Sequence, residues 1–117
     1  MKRLLMMILC VALMVLVMPQ AEAKDYWVYS DNFGHTYCDS NSLQWDSDGR
    51  YCEVRTKFIA NDGTRLNPET WLFYKKNDGW YYSFGTSPWD GEPGPLNASV
   101  DRRGARVLAW CRSFAGK

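Results

Sequence analysis

The chain holds 117 residues, with 14 Lys and Arg against 13 Asp and Glu and a formal net charge of +1. That length suits one domain. Near-balanced charge argues against nucleic acid or an anionic membrane surface as the main partner, since both call for a basic excess.

Residues 1–23 read as a cleavable signal peptide. Lys2 and Arg3 form a positive start, Leu4 to Met18 is apolar without a charge, and Ala21-Glu22-Ala23 offers the small-x-small cleavage site. The apolar run is shorter than the roughly 20 residues a membrane anchor needs. Cys10 sits inside the run behind bulky Met7-Ile8-Leu9, which argues against lipidation there. Residues 24–117 are therefore expected to form a single small exported domain: periplasmic, on the cell surface or secreted, with no membrane span after cleavage. Without Lys2, Arg3 and Glu22 that part carries 12 basic and 12 acidic residues.

Taken in order, Asp25 to Ser30 is aromatic and β-branched and reads as a strand, followed by a turn at Asp31-Asn32-Phe33-Gly34. His35 to Asp39 completes a first hairpin. Asp46-Ser47-Asp48-Gly49 is a strong turn signal. Arg50 to Ala60 alternates: Tyr51, Glu53, Arg55 and Lys57 on one side, apolar or small residues on the other, as in an antiparallel strand with one wet face. Trp71 to Lys76 and Trp80 to Phe84 flank Asn77-Asp78-Gly79, a hairpin signal. Gly85 to Leu96 contains three prolines and three glycines and is expected to be irregular loop. Beyond it, Ser99 can cap a helix whose apolar side carries Val100, Val107, Cys111 and Phe114. Gly104 costs about 1 kcal/mol there, so the firm part is Ala105 to Phe114, with Arg102, Arg103, Arg106 and Arg112 on the wet side. The expected fold is mainly β, or α+β: an antiparallel meander of about five short strands with one C-terminal helix packed on the sheet. A small closed barrel is the alternative.

Cys38, Cys52 and Cys111 remain after cleavage, and an oxidising compartment favours one disulfide among three. Cys38–Cys52 is the first pair expected and Cys52–Cys111 the second, with the odd thiol a small buried hydrophobe.

Trp27-Val28-Tyr29, the turn, His35-Thr36-Tyr37-Cys38-Asp39, Ser42-Leu43 and then Arg50-Tyr51 with Val54 form a pattern. Over residues 26–59 it resembles the small exported bacterial proteins grouped around surface-adhesin protein E. The resemblance implies a small antiparallel domain on or outside the bacterial envelope, in which Asp39 and Ser42 hold the backbone of a turn. The final third, with Trp110-Cys111, departs from that family.

No catalytic set stands out. His35 is the single histidine and sits near a turn, and Glu53 and Asp39 are the acids that a glycosidase reading would have to bring into one concavity. Asp46-x-Asp48-Gly49 fails as a calcium hand, because Gln44 and Arg55 fall where the first and last ligands belong. His35-x-x-Cys38 lacks a partner pair for zinc, so no metal or cofactor is expected. What remains is aromatic: Trp80-Tyr81-Tyr82 must put a ring on each sheet face, and Trp89 with Asp90 lies in the Pro/Gly loop. Trp80, Tyr82, Trp89 and Asp90 are thus the expected contact residues for a protein or carbohydrate. The leading expectation is a non-enzymatic binding module of the envelope or exterior. The alternatives are an accessory envelope subunit that pairs through a sheet edge and, third, a small hydrolase.

Overall fold

The computed structural model describes residues 24–116. The signal peptide expected over residues 1–23 lies outside them. Among the described residues no helix is long and apolar enough to cross a membrane.

Seven strands form one antiparallel sheet: β1 (Asp25–Ser30), β2 (Gly34–Asp39), β3 (Gln44–Trp45), β4 (Tyr51–Ala60), β5 (Glu69–Lys76), β6 (Gly79–Gly85) and β7 (Gly94–Pro95). The order across the sheet is β1-β2-β4-β5-β6-β7, with β3 paired to β4. Among the described residues the one α-helix is α1 (Arg102–Ala115), which follows the strands. The mainly β architecture with one C-terminal helix is as the sequence implied. The two extra strands have two residues each.

The first hairpin turns on Asp31, whose Oδ1 accepts the Phe33 and Gly34 amides. Gly34 is required by close approach, since a Cβ there would strike the Ile59 carbonyl and the Ala60 backbone of β4. β1 is bulged at Val28, where the register shifts between Trp27 and Tyr29. Between β2 and β3 the chain makes a 3-10 turn, Ser40–Ser42. Asp39 Oδ1 accepts the Asn41 amide at 3.0 Å; the Ser42 hydroxyl donates to the Asp39 carbonyl at 2.7 Å and accepts the Arg55 amide at 2.7 Å. Asp39 and Ser42 thus hold this turn and pin it to β4. At the β5–β6 hairpin Asn77 and Asp78 keep negative φ, and Gly79 takes φ +137° to close the ladder.

One face of the sheet carries Cys38, Cys52, Val54, Trp71 and Phe73, packed beneath Val107, Leu108 and Cys111 of α1. Trp71 stacks on Phe84 (4.4 Å, 11°) and on Phe73 (5.9 Å), and its indole N–H donates to Thr56 Oγ1 at 2.9 Å. Leu72, on the opposite parity, is also fully buried. A 3-10 turn at Pro88–Asp90 packs against β5 and β6, and the Ser83 hydroxyl donates to the Pro88 carbonyl. The centre of the sheet is therefore covered on both sides, unlike the single wet face read from β4.

Several expectations need correction. The Gly85–Leu96 segment holds the Pro88–Asp90 turn and β7 as well as loop; Pro95 fits because β7 is an edge strand, where a missing N–H costs nothing. The helix cap is Asp101, whose carboxylate accepts the Gly104 amide at 2.8 Å, and Ser99 instead bonds Asn97 Oδ1. Val100 precedes the helix and is 81% exposed. Gly104 is buried, and a Cβ there would meet Trp71, Leu96 and Asp101 at 3.1 Å, so its cost in propensity is offset by close helix–sheet packing. Arg103 lies over the Trp71 and Phe84 rings at 5.2 and 5.4 Å, away from the wet side.

Among the described residues Cys38, Cys52 and Cys111 are free and fully buried, and no pair of them stands at disulfide distance. The first expected pair, Cys38–Cys52, conflicts with register: Cys38 lies opposite Thr56, four residues along β4 from Cys52, or about 13 Å of strand. Cys111 instead comes over Cys52. Trp45, paired with Cys52, donates its indole N–H to the Cys111 carbonyl at 3.3 Å. A hydrogen bond to Cys52 and then burial push the Cys111 thiol well up, while burial followed by the neighbouring Cys52 pushes Cys38 up to about 12. These thiols are inert at neutral pH while the helix is docked.

Candidate functional site

The face away from α1 is built by the odd positions of β4 and their partners. The register aligns Tyr51 with Tyr74 and Tyr74 with Tyr81, giving a cross-strand row of three phenol rings. Tyr51 and Tyr74 are 5.0 Å apart, and the Tyr81 hydroxyl donates to Asp78 at 2.7 Å. Lys76 sits 4.3 Å over the Tyr81 ring.

Beside this row lies a groove of about 340 Å³ lined by Asp39, Asn41, Gln44, Glu53, Arg55 and Trp89, together with Ser42 and Thr70. Each wall has a local cause. The Asp39–Ser42 turn projects Asn41 and leads into Gln44; strand alternation turns Glu53 and Arg55 outward; the Pro88–Asp90 turn brings Trp89 across the sheet. Trp89 remains 59% exposed while its neighbour Pro88 is buried, so the ring is held by an anchored backbone. Nearby, the pKa of the Tyr51 hydroxyl is raised by burial first and by the charge of Glu53 second. A second groove of about 330 Å³ lies between Tyr37, Ile59, Arg65 and Leu66, and a 3.1 Å ion pair joins Lys57 and Asp25 at its wall.

The four expected contact residues do not form one surface. Trp80 and Tyr82 lie on the helix side: Trp80 meets Trp45 edge-on at 6.2 Å, and Tyr82 packs on Trp71 and Phe73. The Tyr82 hydroxyl is hydrogen-bonded to Asp101, the helix cap; that bond, then burial, raises its pKa to about 12. Trp89 lies on the opposite side, in the groove lining, and Asp90, next to it in the chain, is exposed and is not part of that lining. The ring that alternation turns outward is Tyr81, because Phe73 pairs with Tyr82 and Lys75 with Trp80 on the core face. Parity counted from the buried Trp71 would have found it.

Asp39 and Glu53 do share a concavity. Asn41, Gln44 and Arg55 were missed because they meet only when β3 folds against β4. His35 also has a neighbour that the sequence did not suggest: Ser30 Oγ lies 2.5 Å from its Nδ1 and accepts the Trp27 indole N–H at 2.7 Å. A serine nucleophile further requires a group orienting the far ring nitrogen and donors for an oxyanion. This exposed pair has neither among the described residues, and neither residue lines the two grooves. Among the described residues no group of three His, Cys, Asp or Glu is arranged to hold a metal ion.

No family model matches the chain, and no curated protein or solved structure matches it either.

Proposed function

We propose that the chain is a small exported, non-enzymatic binding module of the bacterial envelope or exterior, and that it takes a carbohydrate in the Trp89 groove. The observation that carries this reading is an exposed indole, set by a buried proline beside it, on the wall of a groove whose other walls are acid, amide and guanidinium side chains. An aromatic face stacks on the C–H face of a sugar, while amides and carboxylates pair with its hydroxyls. The size favours a sugar over a protein: about 340 Å³ fits one or two rings, whereas a specific protein interface needs about 800 Å² on each partner. The row of Tyr51, Tyr74 and Tyr81 extends the aromatic surface for a longer chain. The signal-peptide pattern and the resemblance over residues 26–59 support the address.

Trp89→Ala tests the reading. Titration with soluble oligosaccharides should lose its fluorescence change and binding heat, while Tm stays within a few degrees because the exposed ring adds little to the core. A large fall in Tm would assign Trp89 to stability and remove the basis of the reading. Asp39 and Glu53 at one groove also favour a hydrolase as a second reading. Release of reducing ends that is abolished by Glu53→Gln would establish it.

A further inference from the structure

The lining of the Trp89 groove is acidic on balance. Asp39 and Glu53 contribute two carboxylates against the single guanidinium of Arg55, and Asp90 stands exposed next to Trp89. Residues 24–117 are charge-neutral in sum, so this is a local bias. Among the described residues the ion pairs are Lys57–Asp25 and Arg103–Glu69, which leaves Glu53, Asp39 and Asp90 without a cationic partner. Asp39 uses Oδ1 on the Asn41 amide, and its Oδ2 has no hydrogen-bond partner among the described residues. Glu53 accepts no side-chain hydrogen bond among the described residues, and it shares the groove lining with Trp89.

An indole face beside unpaired carboxylates is the arrangement that favours a cation. The π face attracts an ammonium group, and a carboxylate takes its N–H bonds with charge assistance. Resting on the carbohydrate reading of the same groove, we propose that the ligand is an amino sugar with a free, protonated amine. Its amine would lie between Glu53 and the Trp89 ring, and its ring hydroxyls would face Asn41 and Gln44. A neutral N-acetylated sugar would leave the carboxylates desolvated without a partner, which disfavours it. An acidic sugar would meet the same carboxylates in repulsion, with only Arg55 to hold it.

The test compares oligomers of glucosamine with their fully N-acetylated counterparts, titrated into the Lys24–Lys117 chain at mildly acid pH and followed by tryptophan fluorescence and calorimetry. The free-amine oligomer should bind about tenfold tighter, and the margin should shrink as salt rises. Glu53→Gln keeps the side-chain shape and should erase the preference while binding of the acetylated oligomer persists. Trp89→Ala should lose both ligands, and Tm measured on each variant guards against loss of fold. Equal affinity, or tighter binding of the acetylated oligomer, would overturn the charge inference and leave the sugar reading standing. No binding of either oligomer, nor of neutral or acidic sugars, would overturn both.

Discussion

At the residue scale, neighbours in sequence have opposite duties. Trp80 and Tyr82 are structural, and Tyr81 between them is turned outward. Tyr82 carries a pH prediction. Its hydroxyl bonds the Asp101 carboxylate, and its folded pKa of about 12 exceeds the usual 10. A folded pKa raised in this way adds stability that is fully present below the unfolded value and lost as pH rises through the folded one. Stability should therefore decline between about pH 10 and 12. Tyr82→Phe should flatten that part of the pH–Tm curve and cost about 1 kcal/mol at neutral pH in denaturant titration. An alkaline limb unchanged by the substitution would count against the hydrogen bond. Asp101 serves two partners, the Gly104 amide and Tyr82, so Asp101→Ala should cost about 1–2 kcal/mol, more than Tyr82→Phe.

At the element scale, the helix is held by close packing and by its position over Cys52. Gly104→Ala would raise helix propensity by about 1 kcal/mol in an isolated helix. Here the added methyl would press on Trp71, which is fixed between Phe73 and Phe84, and on the capping carboxylate. Tm should therefore fail to rise, and thermal melts of the two proteins decide it. The thiols give a second prediction. In an oxidising medium Cys52 and Cys111 should be the pair that joins, because Trp45 bridges their backbones, while Cys38 remains opposite Thr56. Both sulfurs are fully buried, so an oxidant such as glutathione disulfide has to act before α1 docks, during folding. A bridge closing about 60 residues contributes about 4 kcal/mol in the chain-entropy model. Protein refolded with that oxidant should lose Tm when reductant is added, and Cys52→Ala or Cys111→Ala should abolish the difference while Cys38→Ala leaves it. Peptide mapping that finds Cys38 in the bridge would reject this pairing.

At the scale of the whole molecule, the sheet edges bear on how copies or partners meet. One outer strand, β1, is bulged at Val28, which breaks the regular row of amide groups a pairing strand needs. At the other edge β7 is only Gly94–Pro95, and proline offers no donor. Both features oppose the accessory-subunit alternative, which requires an open edge. Size-exclusion chromatography with light scattering should give a monomer mass independent of concentration; an oligomer that survives Trp89→Ala would revive that alternative.

The legible part of this protein is periodic or local. Alternation in Arg50 to Ala60 and the Asn77-Asp78-Gly79 signal gave the main strands and a hairpin, because a strand's two faces repeat every two residues whatever lies around it. The Asp39–Ser42 turn, which the resemblance implied, is also local, since its bonds close mostly within three residues. The helix is legible but its start is not: intrinsic preference points to Ser99 as the cap and counts Gly104 as a cost, whereas the cap is Asp101 and Gly104 is set by its close approach to Trp71.

What the sequence alone determined is thus the class of fold, the outward parity of β4 and an aromatic residue in a Pro/Gly loop. Tertiary structure decided the rest. It chose Tyr81 over Trp80 and Tyr82 as the outward ring, set Cys111 rather than Cys38 against Cys52, and gathered Asp39, Asn41, Gln44, Glu53, Arg55 and Trp89 from five separate elements into one groove. The physical reason is that strand register and the docking of a turn join residues up to 50 positions apart, from Asp39 to Trp89. Such contacts depend on which strands pair and in what register, and no short-range period encodes that choice.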